Sequence, residues 1–104
     1  MAQVEIISEQ PTGRGLAFDV QVLRDDGGLA RHRLVLAWAD YNVWSGDGAD
    51  EPAKVAEAVV LFWLRHESNL PDSIDASVVR RRFASTAAQG RNVDDEIRAL
   101  ISRA

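Results

Sequence analysis

The chain has 104 residues, 46% hydrophobic and 27% charged, with no cysteine and a formal net charge of −4. That length fits one domain with one core, so residues 1–104 are read as a single α+β domain able to fold without staples. The missing cysteines exclude disulfides, thiolate metal sites and a cysteine nucleophile. The longest apolar run, Ala58 to Leu64, falls far below the roughly 20 residues that span a bilayer. The amino-terminal stretch lacks the pattern of a signal peptide. A cytoplasmic location and no membrane association are therefore expected.

Charge is unevenly spread. Residues 1–39 carry a net −1, residues 40–75 a net −6 and residues 76–104 a net +3. Such polarity steers a charged partner or is neutralised within the domain, and the second use is the commoner.

The first third alternates as strands do. Val4 and Ile6 alternate with Gln3 and Glu5, and Pro11-Thr12-Gly13 reads as a turn. Leu16, Phe18, Val20 and Val22 occupy one parity of a second strand, and His32, Leu34, Leu36 and Trp38 one parity of a third. A three-residue loop Asp26-Gly27-Gly28 pairs Val20 with Leu34 and Phe18 with Leu36. It places Asp19, Gln21, Arg31 and Arg33 together on the other face, with Gly28 in the left-handed conformation. These strands predict an antiparallel meander with one apolar face.

Helices follow. Asp50 is placed to cap a helix over 51–66 with Pro52 in its first turn, and so many of its residues are apolar that it must be buried on most sides. Pro71 breaks the chain. Asp75 caps a second helix, with Ile74 stapled onto Val79, and Gly90 ends it. Asn92 caps a third, in which Val93, Ile97, Leu100 and Ile101 share one stripe. The expected fold is thus α+β: a three-stranded antiparallel meander followed by three helices packed on one sheet face.

The string Ala58-Val-Val-Leu-Phe-Trp-Leu-Arg-His-Glu67, a proline-bearing turn, and Ser73-Ile-Asp-Ala-Ser-Val-Val-Arg-Arg-Arg-Phe83 resemble a family of small uncharacterised bacterial proteins. In that family a hairpin precedes an apolar helix ending in Leu-x-Arg-Glu and a short helix ending in Arg-Tyr-Phe. The likeness covers about half the chain, and 84–92 depart from it as an insertion. It implies the fold and carries no assigned activity or site.

Chemistry is sparse. His32 and His66 lack the spacing of a metal motif, and an EF-hand loop begun at Asp47 meets Ala49 and Ala58 where ligands are required. Gly13-Arg-Gly15 and Gly46-Asp-Gly48 lack the third glycine of a phosphate loop, and the one lysine, Lys54, falls in a helix. No serine sits in a Gly-x-Ser-x-Gly elbow. Catalytic residues, metal ligands and cofactors are read as none.

Two features invite a binding role. Trp38, Tyr41 and Trp44 recur every three residues and serve either as a lid over the core or as a partner-binding patch. Arg80-Arg81-Arg82 suggests nucleic acid, yet no arginine follows at the four- and seven-residue spacings that a phosphate track demands. The leading reading is a protein-interaction or regulatory module without catalysis, bound to another protein or to itself as a homodimer. The alternatives are nucleic-acid binding through the Arg80–Arg82 helix and a small enzyme with an unrecognised site.

Overall fold

The computed structural model describes residues 3–83 and 92–103. Four strands form one mixed sheet in the order β1 (Gln3–Pro11), β2 (Gly15–Leu23), β3 (Leu29–Ala37) and β4 (Ser73–Asp75). Helix α1 (Trp38–Trp44) follows β3 directly, and α2 (Pro52–His66) comes next. After β4, a 3₁₀ turn (Ala76–Val78) leads into α3 (Val79–Arg82), and α4 (Val93–Arg103) closes the described chain. The class is α+β, with two corrections to the three-strand, three-helix expectation. The sheet gains β4, which is parallel to β3 through Leu34 and Ile74 and too short for alternation to reveal. Trp38, read as the end of a strand, instead opens α1. The second expected helix ends at Arg82 with Phe83 as its C-cap, short of the expected stop at Gly90, which itself lies outside the described residues.

The hairpin keeps the expected faces in a different register. Val20 pairs with His32 and Phe18 with Leu34, two positions away from the expected partners. The loop does have three residues, but they are Asp25-Asp26-Gly27. Arg24 N donates to Gly28 O at 2.8 Å, Gly27 N donates to Arg24 O at 3.0 Å, and Gly27, not Gly28, takes positive φ (+88°). Both registers share one parity, so the apolar pattern does not separate them. The Asp26 carboxylate, accepting from Gly28 N at 2.8 Å, holds the turn one residue earlier.

The even-numbered residues of the hairpin, Phe18, Val20, Val22, Leu34 and Leu36, are fully buried, and Val55, Val59 and Phe62 of α2 belong to the same core. Helix α2 starts without a side-chain cap: Glu51 is its N-cap residue, with Pro52 inside the first turn. Asp50, expected in that role, instead accepts from Ser45 Oγ at 2.8 Å. Proline supplies the start cheaply, since its φ suits the first helical position and its missing N–H would have had no partner. The other two expected caps are present: Asp75 accepts from Ser77 N and Asn92 from Asp95 N.

Beyond α2, Phe83 stands edge-on to Phe62 (5.3 Å) and to Trp63 (5.0 Å). His66 Nε2 meets Glu96 Oε2 at 3.0 Å, tying α2 to α4. None of the helices among the described residues is long and apolar enough to cross a membrane.

Two substitutions test this packing by chemical denaturation. Leu34→Ala should cost about 2–5 kcal/mol as a core cavity. Gly15→Ala should cost about 1–3 kcal/mol by steric strain, because a Cβ there would collide with the Leu36 carbonyl oxygen. Losses below about 0.5 kcal/mol at both would contradict the register.

Candidate functional site

Among the described residues the helices occupy the even face of the sheet, and most of the odd face is left uncovered, with Ala17 buried on it. Gln3, Glu5, Leu23, Leu29, Arg31 and Arg33 are all exposed along it, with Asp19 and Gln21 half-buried. Cross-strand pairing arranges them in rows: Glu5, Gln21 and Arg31 in one, Gln3, Leu23 and Leu29 in the next. The apolar row is wet, with Leu29 65% exposed and Leu23 37%. A bulge in β1 turns Ile7 outward as well, at 41%. Asp19 accepts from Ser8 Oγ at 2.6 Å. Neither Arg31 nor Arg33 forms an ion pair among the described residues, so the face runs from acid on β1 to unpaired cation on β3.

The sheet edges are blunted. Pro11 is the last residue of β1, where an edge strand tolerates a missing donor. The bulge interrupts the same edge, and β4 covers the middle of β3.

The three aromatics separate. Tyr41 and Trp44 are buried, and Trp38 is 45% exposed, stacked edge-on against Tyr41. Tyr41 Oη donates to the carbonyls of Gly48 and Asp50, so the acidic loop 45–50 wraps round it. Trp44 Nε1 donates to Asp94 Oδ1 at 2.7 Å. Tyr41 and Trp44 therefore serve as the lid, and Trp38 alone of the three offers surface to a partner.

Arg80 turns inward beside them. Its Nε donates to Asp94 Oδ1 at 2.7 Å, its Nη1 to Asp40 Oδ1 at 3.2 Å, and its guanidinium lies 5.1 Å from the Trp44 ring centroid. Its Nη2 is buried without a partner among the described residues. Arg82 forks both oxygens of Glu67 at 2.8 and 2.9 Å and covers Trp63. The acids paired with the arginine run are thus Asp40, Asp94 and Glu67. Two of the three arginines are committed within the chain. Burial raises the Asp40 pKa above its ordinary value, with Asp75 and Asp94 adding to the rise and Arg80 opposing it. Sequence spacing gave no sign of this network, which depends on α1, α3 and α4 meeting.

Among the described residues no three His, Asp or Glu side chains converge to hold a metal ion. His32, buried on the even face, donates from Nδ1 to Pro71 O at 2.8 Å.

Comparison with protein-family models, curated proteins and solved structures finds no match.

The network yields two expectations. Arg80→Ala should cost about 1–3 kcal/mol, less than a fully buried pair because Arg80 is partly solvated, and Arg81→Ala should stay within about 0.5 kcal/mol. Equal losses would contradict the inward placement. Asp40 binds its proton more tightly folded than unfolded, so its ionisation removes stability as pH rises from the ordinary carboxyl value of about 3.8 through the raised folded pKa. The stability of Asp40→Asn relative to the parent chain should therefore increase with pH across that window. A constant difference would contradict the raised pKa.

Proposed function

We propose that the chain is a non-catalytic interaction module, working in the cytoplasm, that pairs with a second copy of itself through the uncovered sheet face. The observation that carries this reading is the self-complementary charge of that face. A twofold axis parallel to the strands, between two facing sheets, sets β1 of one copy over β3 of the other. Glu5 then meets Arg31 of the partner subunit, and Leu23 meets its own counterpart. The cysteine-free composition suits a reducing compartment. The resemblance to small bacterial proteins without an assigned activity is compatible with a purely binding role.

Size sets the strength. Three nine-residue strands offer a face of about 30 by 14 Å, roughly half the 800 Å² per partner of a standard stable interface. A weak dimer in the micromolar range or above is therefore expected. Trp38 is the further surface aromatic available to a different protein.

Sedimentation velocity over a concentration series tests the reading. The expected result is reversible dimerisation that Arg31→Glu weakens at least tenfold and that Glu5→Arg restores in the double variant. A monomer mass up to several hundred micromolar, or a dimer indifferent to both changes, would overturn it.

A further inference from the structure

On the helix-covered side of the sheet, a cleft of about 480 Å³ opens between the hairpin end, the C-terminal half of α2 and α4. That volume lies within the 300–1,000 Å³ common to small-ligand sites. Its walls are apolar: Val22 from β2, Leu61 and Leu64 from α2, Leu70 from the following loop and Leu100 from α4. Leu61, Leu64 and Leu100 are only half-buried, so the fold leaves leucine surface wet here and on no catalytic pretext.

Polar groups stand at two places. Arg24 and Arg65 border the cleft, both are exposed, and neither has an ion-pair partner among the described residues. Asp25, the one acid of the lining, makes interactions of its own. Two cations against one acid give a basic rim in a chain of net −4.

The second polar group is His32, only 7% exposed yet part of the lining. Pro71 O accepts from its Nδ1 at 2.8 Å. A carbonyl only accepts, so Nδ1 carries the proton, and Nε2 of the neutral ring is an acceptor. That Nε2 has no partner among the described residues. It is not among the fully buried unpartnered atoms, so this acceptor meets the cleft and is open to a ligand's donor. His32 pairs with Val20, four residues along β2 from Arg24, a separation of about 13 Å at 3.3 Å per residue.

We infer that this cleft binds an apolar monocarboxylate bearing a hydroxyl far from its carboxylate, of the ω-hydroxy fatty acid kind. The carboxylate takes the Arg24 and Arg65 guanidiniums, the alkyl chain covers the half-buried leucines, and the hydroxyl donates to His32 Nε2. This site is on the other side of the sheet from the self-pairing face and does not depend on that reading.

Isothermal titration of the full chain with 10-hydroxydecanoate, decanoate and 1,10-decanediol tests the inference, with long-range ¹⁵N–¹H spectra of the histidine rings as a second readout. The expected result is saturable binding of 10-hydroxydecanoate at least fivefold tighter than of either other compound. Arg24→Ala with Arg65→Ala, both at exposed positions, should reduce its affinity to that of the diol and leave diol binding unchanged. The His32 Nε2 signal should move on binding while that of His66 stays in place. Equal affinity for acid and diol, absence of saturable binding, or movement at His66 instead of His32 would overturn it.

Discussion

Burial of α2 is the constraint on which the other elements depend. Seven of its residues are buried, from Val55 to Trp63, and they point to more than one side. A helix of that kind cannot rest on a sheet with its back in water. Val55 and Val59 share one core with the even face of the sheet, and α4 packs on α2 as well. Phe83 joins that core through its edge contacts with Phe62 and Trp63. The His66–Glu96 bond then fixes the same end of α2 to α4. Only one side of the sheet is needed to satisfy this demand, and among the described residues most of the other side stays uncovered.

The same demand explains the use of charge. Among the described residues the basic tail forms no surface stripe, because α3 is short and two of its arginines turn to acids of α1, α4 and the end of α2. Arg80 therefore meets Asp40 and Asp94 across three helices, with Trp44 beneath it. The cations left without acids among the described residues include Arg31 and Arg33 on the sheet face and Arg24 and Arg65 at the cleft. The two proposals follow this division between neutralised and unneutralised arginines. Apolar surface accompanies the free charge at both places, Leu23 and Leu29 on the sheet, Leu61 and Leu64 in the cleft.

Much of the fold was legible in local pattern. Strand parity placed Phe18, Val20, Leu34 and Leu36 in the core, and side-chain chemistry located the caps at Asp75 and Asn92. What local pattern could not supply was anything decided at longer range. Two registers of equal parity differ only in which aspartate closes the turn. Trp38 continues the strand alternation and yet starts a helix, because Tyr41 and Trp44 gain more by burial against α2 and α4. Three residues at Ser73–Asp75 carry no periodicity, so β4 exists only through its pairing with β3. His32 read as a core histidine near a turn, which it is, but its free nitrogen and the cleft before it appear only once α2 and α4 are in place.

The central claim is that α2 and the β2–β3 hairpin form one cooperative core that neither could maintain alone. Native-state hydrogen exchange across a denaturant series measures it most directly. The account predicts that amides of Val59, Val60, Phe62 and Trp63 exchange only through global unfolding, with the same free energy as those of Val20 and Leu34. Exchange of the α2 amides through a local opening several kcal/mol below the hairpin would contradict it.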